Sequence, residues 1–305
     1  MARKPGVFRL KLPATSANLG PAFDAAAVAF DIALRLEARA ASDYSIQATG
    51  RDADVCGRLE NHLILNTYRE VLSASGKHGA PLALKIVNEI PIGKGCGSSA
   101  AARIAGIALA VHFGKLKWTD AQIIGEAARR EHHPDNVAAC WLGGLAVARM
   151  TGEAQAEVAR IEPRGRWPMV VAVPPAPLST EGARKVLPLE YSRADAVTNI
   201  QSSMLLLAAF TQGRGELLRH ALEDRMHQPY RAPLCPLLPA IQEMNGASGI
   251  RGVALSGAGP SVLVFLDPKV PAVKVIKKIA QHLATKSLEA ELIPTQIARF
   301  GAGNR

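Results

Sequence analysis

The passage that most constrains this chain is Pro91-Ile92-Gly93-Lys94-Gly95-Cys96-Gly97-Ser98-Ser99-Ala100-Ala101, where three glycines alternate and a helical pattern then begins. Before it, Leu82 to Val87 alternates as a strand does. After it, Ser98 to Phe113 carries alanine, isoleucine and leucine at helical spacing. Glycine admits positive φ and lets a ligand approach the main chain. A helix start offers unpaired N–H groups and a partial positive charge. Together they form a cradle for an anion, and a phosphate is the usual guest. Lys94 adds charge, and Ser98 or Ser99 could hold a phosphate or a magnesium ion through its hydroxyl. The passage is not a Walker loop, because no lysine followed by serine or threonine closes it, and it lacks the G-x-G-x-x-G of dinucleotide sites. A glycine turn that merely joins a strand to a helix is the competing reading. Cys96 reads as a small filler rather than a reactive thiol.

Around this loop the pattern is mixed. Val7 to Leu12 alternates and ends at Pro13, which suggests an opening strand. Thr119 with Gln122 makes a capping box at the start of a second helix, and Pro134 opens a third that runs to about Leu142 and stops at Gly143-Gly144. Met169 to Val173, Gly252 to Leu255 and Val262 to Leu266 read as strands, Ala194 to Phe210 as a long helix, and Lys269 to Leu283 as a basic amphipathic helix. Strands and helices do not alternate strictly, which favours α+β. A length of 305 residues suggests two domains. The polar stretch Gly152 to Arg166 is the natural divide, giving residues 1–160 and 161–305.

Composition excludes several classes. The chain is 48% hydrophobic and 20% charged, as globular proteins are. Its most apolar stretch, Ala100 to Phe113, is too short to span a bilayer and contains Arg103 and His112. Met1 to Pro5 is basic with no signal-type apolar run behind it, so a cytoplasmic protein without membrane contact is expected. Cys56, Cys96, Cys140 and Cys235 form no close pair, which argues against a zinc site or a disulfide framework. A formal charge of +10 fits an anionic ligand, or simply a basic surface. There is no basic tail, and aromatic residues are only 5%, too few for the stacking platforms of single-strand RNA readers, so no nucleic-acid partner is expected.

A second polar cluster is Glu131-His132-His133-Pro134-Asp135-Asn136. Adjacent histidines point to different faces, and the H-E-x-x-H zinc pattern is absent. Glu131 suits magnesium, which takes one or two carboxylates together with phosphate oxygens. His133 and Asn136 lie three apart and share a face. Asp135 as a helix cap and His132 as a surface residue are the plain alternatives.

These motifs resemble a known family. Leu12-Pro13-Ala14-Thr15-Ser16-Ala17-Asn18-Leu19-Gly20-Pro21-Ala22-Phe23-Asp24 resembles the first motif of homoserine kinases, within the GHMP (galactose, homoserine, mevalonate, phosphomevalonate) kinase superfamily. Pro91 to Ala101 resembles its phosphate loop, His133-Pro134-Asp135-Asn136-Val137-Ala138 the motif that follows, and Ala254-Leu255-Ser256-Gly257-Ala258-Gly259-Pro260-Ser261 its third motif. Ser179-Thr180 with Arg184, and Pro229-Tyr230-Arg231, resemble segments found more narrowly in homoserine kinases.

The resemblance implies a ribosomal protein S5 domain 2-like N-terminal domain and a ferredoxin-like C-terminal domain. It implies ATP over Pro91, Ile92, Gly93, Lys94, Gly95, Cys96, Gly97, Ser98, Ser99, Ala100 and Ala101, with Asn61 near the adenine. It implies L-homoserine among Asn18, Asp24, His133, Asn136, Thr180, Arg184 and Arg231. Mg2+ would sit on Ser98 and Glu131, with Glu126 as the alternative carboxylate. Arg184 and Arg231 suit the substrate carboxylate, since a guanidinium offers paired donors. Asp24 suits the ammonium. Lys94 would neutralise phosphate charge, Asn136 would orient the acceptor, and His133 would orient it or take its proton. A homodimer is implied too. Another GHMP-type kinase and a non-catalytic ATP-binding sensor are the competing functions. Two departures stand out: Ala22 replaces a glycine of the first motif, and His132 stands where glycine is common. Both bear on turns, because alanine resists positive φ.

Overall fold

The computed structural model describes residues 6–303, so the basic Met1 to Pro5 stretch lies outside the described residues. Two antiparallel-dominated sheets organise the chain. The first contains β1 (Phe8–Asn18), β2 (Ala22–Ala40), β3 (Ser45–Gly50), β4 (Leu82–Asn88), β5 (Leu145–Gly152) and β6 (Gln155–Ile161). Their order is β3-β4-β2-β5-β6, with β1 paired to β2, and only β3 and β4 run parallel. Interspersed are α1 (Ala53–Cys56), α2 (Leu63–Ala74), α3 (Ser98–Phe113), α4 (Asp120–Glu131) and α5 (Asp135–Leu142). The second sheet holds β7 (Pro168–Val173), β8 (Ile250–Leu255), β9 (Val262–Leu266) and β10 (Glu291–Gln296) in the order β10-β7-β9-β8. This places the first strand of the unit between its third and fourth, the ferredoxin-like arrangement. Between β7 and β8 lie α6 (Thr180–Lys185), α7 (Arg193–Gln212), α8 (Leu218–Ala221), α9 (Gln228–Arg231) and α10 (Leu237–Gln242). Between β9 and β10 lies α11 (Ala272–Thr285). The α+β class expected from the sequence is the one observed.

The opening strand does not stop at Pro13. It runs on to Asn18, with Pro13 opposite Ala33 and a register shift immediately after it. A proline is tolerated in a strand at such an irregularity, where a ladder hydrogen bond is already missing. The first half of its partner β2 has no strand signature, whereas Leu34 to Ala40 alternates. Ala25-Ala26-Ala27 is helix-favouring composition. Pairing decides otherwise: β1 covers β2 along most of its length, β5 takes Ala26 to Val28 and β4 takes Leu34 to Ala40. The polar stretch expected to divide the chain contains β6, an edge strand of the first sheet. The proposed division at 160/161 falls at the end of that strand.

Helix starts follow local chemistry. Thr119 and Gln122 form the reciprocal capping box on α4. Pro134 is the cap of α5 rather than its first residue, and Gly143 ends that helix at φ 74°. Ala22, where the family carries glycine, is not among the residues with positive φ, so that replacement carries no strain. His132 sits at φ 66°, a left-handed position that glycine fills more easily. One continuous apolar core joins the two units. Trp167 packs on Phe210 at 4.5 Å, and Phe210 on Phe265 at 5.8 Å, next to residues of the first sheet. After β10 the chain returns to the first unit: Ala298 N donates to Ala29 O at 2.9 Å and Ala302 N to Cys140 O at 2.9 Å.

Candidate active site

The glycine loop crosses between the units. Gly93, Gly95 and Gly97 all take positive φ. At two of them the freedom is obligatory. A Cβ on Gly95 would lie 2.2 Å from Ser256 O, and one on Gly97 would lie 1.9 Å from Thr15 Oγ1. These close approaches tie the three glycine-bearing motifs together: Thr15 N donates to Cys96 O at 3.1 Å, and Ser256 Oγ to Gly95 O at 2.7 Å. Gly97 caps α3 without a side-chain hydrogen bond, which leaves the first N–H groups of the helix to whatever enters.

A cleft of about 630 Å³ opens in front of that helix start. Asn18, Asp24, Gly93, Gly95, Gly97, Ser98, Ser99, Ala100, Glu131, His133, Asn136, Thr180, Arg184 and Arg231 all line it, although they come from positions 18 to 231 of the chain. A second cleft of about 730 Å³ shares Gly93, Ser98 and Ser99 with the first. It is walled mainly by apolar side chains, including Ile64, Ile86, Ile90 and Ile92, with Asn61 at its border. A phosphate cradle joined to an apolar annex fits a nucleotide, its base in the annex and its phosphates on the α3 start.

Not every expected loop residue faces these clefts. Pro91, Cys96 and Ala101 are buried supports. Burial pushes the Cys96 thiol up to about 12, so it is no nucleophile. Lys94 also departs from expectation. Its Nζ donates to Pro174 O at 3.0 Å and to Pro175 O, and it lines a separate depression with Arg51 and Asp52. Besides Arg184 and Arg231, the arginines that line the first cleft are Arg103 and Arg130. Arg103 lies four residues after Ser99 on α3, a helical spacing visible in the sequence but not read there.

Glu131 lines the cleft and Glu126 does not. Arg129 and Arg130 pair with Glu126; although burial opposes them, they hold its carboxyl below the usual range. Glu131 Oε1 accepts from Ser99 Oγ at 2.6 Å and from Arg103 Nε. Ser99, rather than Ser98, is therefore the hydroxyl that meets this carboxylate. A carboxylate beside a hydroxyl at the phosphate end is the hard-oxygen donor set that Mg2+ prefers.

The opposite wall carries charge on one buried and two half-exposed side chains. Arg184 Nη2 pairs with Asp24 Oδ1 at 2.7 Å. Arg231 is 1% exposed, and no carboxylate pairs with it among the described residues. Its Nε donates to Ala183 O at 3.0 Å and its Nη1 to His227 Nδ1 at 3.2 Å. Burial first, and then neighbouring Arg184, push its pKa below the usual value. Both guanidiniums face the Phe23 ring, at 5.4 and 5.3 Å from its centroid. Asn18 is largely committed: Oδ1 accepts from Asp24 N at 3.0 Å and Nδ2 donates to Gly257 O at 2.9 Å. Asn136 Oδ1 accepts from Thr15 Oγ1 at 2.7 Å.

His133 Nδ1 meets Asp135 Oδ1 at 2.7 Å. Burial resists its charge, but Asp135, Asp24 and Glu131 together outweigh burial and raise the pKa above 6.5. The Asp135 carboxylate fixes the orientation of this ring at the cleft wall. Asp135, for which a cap was the plain alternative, is buried against His133 and accepts from Asn136 N at 2.6 Å. Phe23 and His227 were not singled out from sequence. The spacing of four between His227 and Arg231 was the available signal.

Residues 62–144 match the GHMP kinases N terminal domain, and residues 206–285 match GHMP kinases C terminal. The chain is 44% identical over 260 residues to a homoserine kinase of Solibacter usitatus, covering 85% of each protein. It is 39% identical over 310 residues to a homoserine kinase of Streptomyces coelicolor, covering 97% of this chain and 98% of that one. Its fold superposes on the crystal structure of homoserine kinase from Cytophaga hutchinsonii with a TM-score of 0.81 at 21% identity, over 99% of this chain and 97% of that one. With this degree of identity along nearly the whole length, the chain belongs to the homoserine kinase family of GHMP kinases.

Proposed function

We infer that this protein transfers the γ-phosphoryl group of ATP to the side-chain hydroxyl of L-homoserine, giving O-phospho-L-homoserine for threonine biosynthesis. The observation that carries the acceptor is Arg231, a guanidinium buried in the cleft wall with no carboxylate of its own. An uncompensated buried cation is costly, and a ligand carboxylate relieves it. Arg184 adds a second cation on the same wall, and Asp24 is the anion for the ligand's ammonium. An acceptor carrying both groups is an amino acid, which mevalonate is not. Asn18 holds the backbone of Asp24 and the third motif in place, while Thr180, His133 and Asn136 orient the remaining polar groups.

On the nucleotide side, main-chain N–H groups of Gly93 to Ser99, with Arg103 and Arg130, neutralise phosphate charge. Ser99 and Glu131 would hold Mg2+, which lowers the charge on the phosphate oxygens. Phosphoryl transfer demands positioning and charge neutralisation more than a strong base. The Asp135 contact that fixes the His133 ring accords with an orienting role. No helix among the described residues is long and apolar enough to cross a membrane. A cytoplasmic location, read from the sequence, and pairing into homodimers, implied by the family resemblance, belong to the same proposal.

The test is ADP release with Mg-ATP and homoserine, serine, threonine, mevalonate or no acceptor. Turnover with homoserine far above the others is expected. Turnover only with another acceptor would keep the phosphate cradle and overturn the acceptor wall. Nucleotide binding without any turnover would favour a sensor.

A further inference from the structure

We propose that His227 is a positioning residue for the acceptor's carboxylate, a neutral imidazole that holds the Arg231 guanidinium from behind. This rests on the reading of Arg231 as the carboxylate anchor. The ring is fully buried, and both of its nitrogens are spoken for. Gly20 O, at 2.8 Å from Nε2, can only accept, and Arg231 Nη1, at 3.2 Å from Nδ1, can only donate. One arrangement satisfies both: the proton sits on Nε2 and the Nδ1 lone pair faces Arg231.

The surroundings hold that state. Burial pushes the His227 pKa down, against the pull of Asp224, whose Oδ2 lies 3.4 Å from Nε2. Asp224 is itself engaged by the main chain, accepting from Met226 N at 2.8 Å, His227 N at 3.0 Å and Gln228 N at 2.6 Å. The other charged groups near the ring are Arg231 and Asp24. Protonation would turn Nδ1 into a second donor against Nη1 and add a cation beside Arg231 and Arg184. His227 also stacks on Phe23, with centroids 5.2 Å apart, and Phe23 is the ring that both guanidiniums face. A single buried ring thus fixes Arg231 directly and the aromatic platform at the same time. Without it, the Arg231 guanidinium would keep only Ala183 O at 3.0 Å and a long contact to Gly257 O at 3.4 Å, and would wander from its carboxylate-binding pose.

Steady-state kinetics on the full chain tests this. His227→Phe keeps the ring stacking and removes both hydrogen bonds. Since a hydrogen bond to a charged group is worth a factor of about 10 to 100, the homoserine KM should rise by about tenfold or more, with ATP KM and kcat unchanged. His227→Asn returns an acceptor toward Nη1 and should recover part of the loss. On an Arg231→Met background, His227→Phe should add nothing further, because its effect runs through the guanidinium. An unchanged homoserine KM in folded His227→Phe, an equal rise in ATP KM, or full additivity with Arg231→Met would overturn the proposal. Imidazole 15N NMR of the wild type gives a check independent of the variants: His227 should be a neutral Nε2–H ring at neutral pH, and a cationic ring or the Nδ1–H tautomer there would overturn it. If Arg231→Met itself leaves the homoserine KM unchanged, the anchor reading fails instead.

Discussion

The two walls of the cleft solve the problem of holding charge in opposite ways. The nucleotide wall is made of main chain, with three glycines at positive φ and a helix start without a side-chain cap. Its specificity lies in what is missing, since an added Cβ at Gly95 or Gly97 has nowhere to go. The acceptor wall is made of side chains. Arg231, Arg184 and the neighbours Phe23 and Asp24 come from three separated parts of the chain and are held against one another. A backbone wall serves any phosphate, whereas a side-chain wall selects one acceptor. The same contrast explains why the glycine loop alone identifies only the superfamily.

The largest effect should come from breaking the backbone wall. Gly97→Ala sets a methyl group against Thr15 and forces a positive φ on alanine. We expect kcat/KM for ATP to fall by about 100-fold or more, as a displacement on the order of 1 Å at a transfer site does. An alanine variant with wild-type ATP kinetics would show that the loop has slack. Next comes the acceptor wall. Arg231→Met should raise the homoserine KM by about 10- to 100-fold and leave ATP KM alone, the reverse of the glycine variant. Arg184 is partly exposed and already paired with Asp24, so Arg184→Met should cost less than Arg231→Met. Equal losses in both substrates would collapse the distinction between the walls.

Where the walls meet, Ser99→Ala should weaken the apparent Mg2+ affinity by about tenfold while Ser98→Ala changes it little, since only the Ser99 hydroxyl meets Glu131. A magnesium titration of activity checks the order, and the opposite order would assign the ion to Ser98. Smallest is a stability effect behind the wall. His132→Gly relieves the left-handed position after α4 and should raise unfolding free energy by up to about 1 kcal/mol, read by urea titration. Unchanged or lower stability would mean that the histidine's surface contacts offset its strain.

The strand, glycine loop and helix of residues 82 to 113 were legible because each depends on neighbours only: alternation, φ freedom and helical spacing are local properties. The capping box on α4 and the strands Met169 to Val173 and Val262 to Leu266 were legible for the same reason. The site residues were legible only as motifs, through resemblance, because no local rule brings Asp24 to Arg184 across 160 positions of chain.

By itself, then, the sequence determined the class of fold, the phosphate cradle and the identity of most residues around it. Tertiary structure alone decided the rest. It made Ala22 to Ala40 one continuous strand, because neighbouring strands satisfied a backbone whose alanine-rich first half favours a helix. It turned Lys94 away from the phosphates, because the carbonyls of Pro174 and Pro175 lay within reach. It brought the hydroxyl of Ser99 to Glu131, set Glu131 rather than Glu126 on the cleft, and placed His227 beside Arg231. Each of these outcomes depends on which partner meets a polar group once the chain has folded, and such partners lie far away in sequence.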